Sequence, residues 1–149
     1  MSSSRRLSLI RSVSHTLAAL FNSSADFRRE WKRYDAASRG GGIEGRWQGE
    51  WISEVNGHHG ELKGAITKSP PAGYKSVFQA TFSKILHVCY EVVLSAREQE
   101  DAVELEGQAD LGRLAGGVYR YKGRASPERF DCSYECKYDH GTFRMKRVD

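Results

Sequence analysis

What this chain lacks narrows its class before any motif is read. No apolar run approaches the roughly 18 residues that a membrane-spanning helix needs. Its three cysteines, Cys89, Cys132 and Cys136, are an odd number. That argues against a secreted disulfide framework and for reduced thiols in a cytoplasm-like compartment. A phosphate-binding loop is missing too: Gly112 to Gly117 is glycine-rich but carries no Lys-Ser/Thr and opens no helix. The first 22 residues contain no acid. Residues 1–39 hold eight Lys or Arg and three acids, a net +5, so the +4 of the whole chain leaves −1 for the remainder. The basic character belongs to the N-terminal arm, and a basic groove for nucleic acid on the rest of the chain is not supported.

What is present begins with that arm. Leu9, Ile10, Val13, Leu17, Leu20 and Phe21 recur at helical spacing among Ser and Arg, which predicts a basic amphipathic helix. Three readings fit it: a helix lying on an anionic membrane surface through residues 1–39, an organelle transit peptide over residues 1–24, or a segment that docks on the rest of the protein or stays disordered. A secretory signal fits poorly, because the apolar core from Thr16 to Phe21 is short and no clear small-residue cleavage site follows. Ser23 with Asp26 is a loose capping-box pattern. Phe27, Trp31 and Tyr34 then share a helical face that either plugs one end of a barrel or extends the surface helix. Gly40-Gly41-Gly42 breaks the pattern, dividing a helical arm with its glycine linker (residues 1–42) from a second domain (residues 43–149).

From there the period changes from helical to two. Trp47, Gly49, Trp51 and Ser53 share one face, opposed by Arg46, Gln48 and Glu50. Seven further alternating segments follow: Leu62–Ile66, Tyr74–Phe82, Leu86–Leu94, Val103–Ala109, Gly117–Tyr121, Phe130–Cys136 and Phe143–Arg147. Turn-forming residues separate them, among them Asn56-Gly57, Pro70-Pro71-Ala72-Gly73, Ser126-Pro127-Glu128 and Asp139-His140-Gly141. The connections are too short for parallel crossovers. Eight short-linked strands with one apolar face close most economically into an eight-stranded antiparallel up-and-down β-barrel, preceded by the helical arm. An outer-membrane barrel also alternates, with its apolar face outward. Here the polar face is dense in Glu and Lys, which a narrow interior would struggle to pair. The expectation is therefore a water-soluble barrel, cytoplasmic and peripheral to a membrane, or organellar if the arm is a transit peptide.

Gly45-Arg46-Trp47 opens the first strand, and Phe143 to Arg147 closes the last. This resembles the calycin pattern of lipocalins, fatty-acid-binding proteins and avidin-like barrels. In those families a Gly-x-Trp on the first strand packs near an Arg on the last and seals one end of the barrel. The resemblance implies Trp47 and Arg147 as the barrel-closing pair, with parity favouring Arg147 over Arg144, and it implies small-ligand binding. A guanidinium over an indole is also physically sensible as a cation–π contact. Gly45-Arg46-Trp47-Gln48-Gly49 is likewise similar to the opening of the haem-binding nitrobindin barrels, although no position here matches their haem-ligating His. The central lipocalin motifs and a lipocalin disulfide are not evident.

Other constellations weigh little. Cys132, Cys136 and His140 read as C-x₃-C-x₃-H, but residues four apart on a strand lie about 13 Å apart, too far for one tetrahedral zinc or a disulfide. Buried core thiols are the plainer reading. His58-His59 sits in a turn, His87 lies beside Cys89 on the polar face, and neither arrangement makes a chelate or a catalytic dyad. No catalytic group, metal site or cofactor is expected. Glu91 and Arg120 fall on the outer face.

The tyrosines are more informative. Tyr74, Tyr90, Tyr119, Tyr121 and Tyr134 all fall on the inner face by parity. A buried phenol needs a hydrogen-bond partner or costs roughly 1–3 kcal/mol. Five of them imply a hydroxyl network, interior water or a cavity for a polar group, or else rings that fill the core with hydroxyls at the rim. They are the expected ligand-binding residues. The sequence thus points to a non-enzymatic barrel binding a small apolar or amphipathic ligand, its arm on an anionic membrane. The alternative is a filled barrel acting as a structural or protein-interaction module.

Overall fold

A computed structural model of the chain describes residues 24–34, 42–113 and 116–148. The amphipathic segment before residue 24 and the first two glycines of the break lie outside the described residues. Helix α1 spans 24–33. The strands that follow are β1 (Gly45–Ser53), β2 (His59–Ser69), β3 (Gly73–Phe82), β4 (Leu86–Glu98), β5 (Val103–Asp110), β6 (Val118–Ala125), β7 (Arg129–Glu135) and β8 (His140–Val148). Each pairs antiparallel with the next, and β8 returns to β1, so the sheet is a closed eight-stranded barrel. Among the described residues no helix is long and apolar enough to cross a membrane.

The alternation decides which side chains face inward. Trp47, Leu62, Ile66, Phe78, Leu105, Phe130 and Met145 are buried in one continuous core, while the Glu and Lys residues between them stay on the outside. Loops after β1, β3, β5 and β7 lie at one end of the barrel. The loops after β2, β4 and β6, with the chain entering β1, lie at the other.

That second end is closed. Trp47 pairs with Arg147 across the β1–β8 ladder, and the Arg147 guanidinium lies over the indole, 4.8 Å from the ring centroid. The guanidinium also donates to three carbonyls: Nε to Pro127 (2.6 Å), Nη1 to Glu44 (2.6 Å) and Nη2 to Gly42 (2.5 Å). Trp47 Nε1 donates to the carbonyl of Ile43 at 3.0 Å, and Ile43 is itself buried in the core. Gly45 is a glycine for a steric reason. Its φ is +136°, and a Cβ there would sit 2.7 Å from Arg147 Nη1.

Helix α1 does not plug an end of the barrel; it lies on the outer wall. Phe27 and Trp31, stacked at 5.5 Å, cover Val77 and Cys89, which point outward from β3 and β4. Trp31 is flanked by the cations of Arg46 (5.2 Å) and Lys63 (5.7 Å). Tyr34 donates to the Ile66 carbonyl at 3.0 Å. The buried Glu30 meets Lys75 at 3.8 Å and Arg33 at 3.7 Å. The helix explains two apolar residues on a face that alternation makes polar. A second correction concerns Asp139-His140-Gly141. The chain turns at 136–139 instead, and His140 and Gly141 already belong to β8. Gly141 is needed for close approach, since a Cβ there would meet the Ile52 carbonyl at 2.0 Å.

Two expected outcomes follow from this packing. Arg147→Lys keeps the charge but loses the planar stack and the three-way fork, so it should lower stability by about 2 kcal/mol or more in denaturant unfolding. A double-mutant cycle with Trp47→Phe should show coupling of at least about 0.5 kcal/mol, as for residues in contact. Separately, deleting residues 1–40 removes α1 but keeps Gly42 and Ile43. The shortened protein should still unfold cooperatively, and Cys89 should become alkylatable, as peptide mapping by mass spectrometry would show.

Candidate functional site

The open end of the barrel carries a cavity of about 560 Å³ that opens to the outside. Its floor is Phe143, set edge-on to the buried Phe78 at 6.0 Å between ring centroids. Its walls are Tyr90, Tyr119, Tyr121 and Tyr134, and its mouth carries Trp51, Phe82, Leu86, Arg113 and Tyr138. The rings form a connected series. Tyr90 stacks on Tyr121 and Tyr121 on Tyr119, each pair with centroids 6.3 Å apart. Tyr119 meets Tyr134 at 6.1 Å, and Tyr134 meets Phe143 at 5.1 Å.

Strand pairing explains why these phenols converge. Tyr121 is cross-strand to Tyr134 in the β6–β7 ladder, and Tyr119 lies two residues from Tyr121, on the same face. Tyr90 comes from β4. Toward the open end β4 leaves its neighbour, for its ladder with β5 covers only Leu94–Glu98 against Val103–Gly107. Its ladder with β3, by contrast, reaches Leu86. There Leu111, buried at the start of the β5–β6 loop, joins Val88 and Tyr90 in lining the cavity.

The fifth tyrosine lies elsewhere. Tyr74 is buried toward the closed end, opposite Leu94 on β4 and Lys68 on β2. It borders a smaller cleft with Pro70, Pro71 and Glu98 and does not line the main cavity. Parity alone put it with the others because parity gives the face of a strand and not the depth along the barrel.

The polar groups of the cavity are organised around Asp139. Ser53 Oγ donates to Asp139 Oδ1 at 2.6 Å, and the Tyr134 hydroxyl donates to Oδ2 at 3.1 Å. Ser53 Oγ in turn accepts from the amides of Val55 and Asn56. The Tyr90 and Tyr121 hydroxyls interact with each other, and the Tyr119 hydroxyl with Cys136. A phenol donates one bond and accepts up to two, so these pairs keep capacity for a ligand. Burial pushes the phenols of Tyr90, Tyr119, Tyr121 and Tyr134 above their ordinary 10.0. After burial, hydrogen bonding to Cys136 raises Tyr119 further and the charge of Asp139 raises Tyr134 further. Burial likewise pushes the Cys132 thiol up to about 12. The lining phenols are thus held in their neutral forms.

Other marked residues fall outside this site. Cys132 is buried in the core, Cys136 faces the cavity, and Cys89 lies under α1, so the three thiols do not meet. His87 lies on the outer face with Nδ1 3.0 Å from Thr81 Oγ1, and His58 and His59 are exposed. Among the described residues no three His, Cys, Asp or Glu side chains are placed to share a metal ion. Several lining residues escaped the sequence reading. Asp139 read as a turn residue, yet Ser53 at an inward position at the same barrel end was a usable signal. Leu111, an apolar residue in a loop, was another. No protein-family model and no curated protein matches this sequence.

The buried phenols have a measurable consequence at high pH. In the unfolded chain they ionise near 10.0, whereas the fold holds them neutral. Their contribution is therefore complete below pH 10 and is lost as pH rises above it. Stability should fall by about 1.4 kcal/mol per pH unit for each of Tyr90 and Tyr121 once the unfolded phenol is ionised. Phenolate absorbance should accordingly rise in step with loss of β-sheet circular dichroism. Replacing both residues with Phe should flatten the alkaline limb.

Proposed function

We propose that the protein is a calycin-like, non-enzymatic barrel that binds a small, largely apolar molecule with at least one hydrogen-bonding group. One observation carries the reading: a pocket of about 560 Å³ enters the barrel at its open end. That volume lies within the roughly 300–1,000 Å³ of small-molecule sites, and a predominantly aromatic wall with a few convergent polar groups is their usual lining. The Trp47–Arg147 closure at the opposite end supports the calycin-like part of the proposal. Binding is favoured over catalysis by the state of the lining phenols. They are shifted away from ionisation by burial, whereas catalytic groups have pKa values drawn toward the working pH. The basic arm, with no acid in its first 22 residues, is assigned to an anionic membrane surface.

Filling the cavity tests the proposal. Val88 is partly exposed and lines the cavity, so Val88→Trp adds bulk there without disturbing the closed end. An apolar, environment-sensitive fluorophore should bind the natural sequence with a saturable signal. Val88→Trp should weaken that binding by on the order of tenfold or more at an unchanged or raised melting temperature. No saturable binding to the natural sequence by any of a set of apolar and amphipathic probes would favour a filled structural module.

A further inference from the structure

Seven large apolar side chains are exposed among the described residues: Val55, Phe82, Ile85, Leu86, Val93, Val118 and Tyr138. All except Val93 stand around the mouth of the cavity, on or beside the loops after β1, β3, β5 and β7. The outermost are Ile85 (84% exposed), Tyr138 (70%) and Leu86 (59%). They sit on two hairpin tips, β3–β4 and β7–β8, that face each other across the mouth in the strand order.

We infer that the open end is a membrane-docking surface, which inserts these tips into a lipid bilayer and brings the cavity mouth to the lipid. The charge pattern favours a phospholipid surface. Each tip pairs its apolar residue with a lysine, Lys84 beside Ile85 and Lys137 beside Tyr138, and Lys137 Nζ lies 5.4 Å from the Tyr138 ring centroid. Lysine next to an exposed apolar or aromatic side chain suits the interface, where the ammonium meets lipid phosphate and the neighbouring group enters the acyl boundary. Of the acids near the mouth, Glu135 is exposed beside the β7–β8 tip, and three others meet protein groups. Asp139 accepts from Ser53 and Tyr134, Asp110 from the Gly112 amide, and Glu54 lies 3.7 Å from His140. The β3–β4 tip is also held at a conformational cost, since Ser83 (φ 50°) and Lys84 (φ 67°) both adopt the left-handed region without being glycine. A second copy of the chain fits less well. Mouth-to-mouth packing would confront Lys84, Arg113 and Lys137 with their own equivalents, and the outermost apolar groups stand on separate tips.

The inference shares its partner, a membrane, with the proposed role of the arm, but assigns the contact to different residues. The two can be separated by salt, which screens the attraction of a basic arm and leaves apolar insertion in place. The test is hydrogen exchange of the full-length protein with phosphatidylcholine–phosphatidylserine vesicles at high ionic strength, with vesicle partitioning measured in parallel. Exchange should slow at 82–87 and 135–140. The double variant Ile85→Ser, Tyr138→Ser should partition more weakly by on the order of tenfold or more. Its melting temperature should not change, because both side chains are mostly solvent-exposed. Protection confined to residues 1–23 would overturn the rim and keep the arm. Partitioning unchanged in the double variant would also overturn it, as would protection of the rim that needs no vesicles and rises with protein concentration, the mark of self-association. No vesicle binding under any condition would remove both membrane contacts, leaving ligand binding, read by the fluorophore, unaffected.

Discussion

Arg147 is the residue on which the rest of the arrangement depends. A closed barrel must join its first and last strands, and a slip of one residue at that seam would turn every inward side chain of a strand outward. Arg147 opposes such a slip with contacts in several directions at once. Its guanidinium covers Trp47 and bonds the carbonyls of Gly42, Glu44 and Pro127. These atoms belong to the chain entering β1, to β8 and to the β6–β7 loop, so one side chain ties together segments more than 100 residues apart. Charge-assisted bonds of this kind are stronger than neutral ones. A lysine, with one ammonium and no plane, cannot form the same set.

Fixing the seam at one end leaves the other end free to differ. Toward the seam the barrel is filled by Ile43, Trp47, Phe130, Ile66 and Leu105. Toward the mouth β4 parts from β5, and the interior is bounded by rings that stand against one another around a space. Such a space forgoes dispersion contacts along its lining. The stacked aromatic pairs recover part of that loss, at about 0.5–1.5 kcal/mol each. Stability in this barrel is therefore concentrated at the closed end and along the wall under α1, and the mouth is where the structure gives stability up.

The strands were legible because alternation is a local property of the chain. Trp47, Phe78, Tyr90 and Phe143 each declare their face through their neighbours, and short turns make consecutive strands antiparallel. Closure then makes β1 and β8 adjacent, which is why parity put Trp47 and Arg147 on the same side. Depth along the barrel is not local. Tyr74 and Tyr90 have the same parity but lie toward opposite ends, and only the ladder registers separate them. Val77 and Cys89 break the alternation because α1 lies over them, a tertiary fact with no mark in the strand sequence. Whether a barrel interior is full or hollow is the least local property of all, because it depends on the summed volumes of residues from every strand.

The placement of the cavity's polar groups limits what it can hold. Tyr90, Tyr121 and Tyr134 are buried; the Tyr134 hydroxyl is bonded to Asp139, and those of Tyr90 and Tyr121 interact with each other. A ligand that displaced any of these bonds without replacing it would leave a buried phenol unpaired, at roughly 1–3 kcal/mol. A wholly apolar ligand is tolerated only if it stacks on the rings and leaves the bonds intact. A ligand that offers an acceptor to a phenol, or a donor to Asp139, gains from groups already held in place. Discrimination on the binding reading should therefore rest less on the size of the apolar body than on where its one or two polar atoms lie, because a site built to hydrogen-bond rejects an unmatched analogue far more strongly than an apolar pocket rejects an extra methylene.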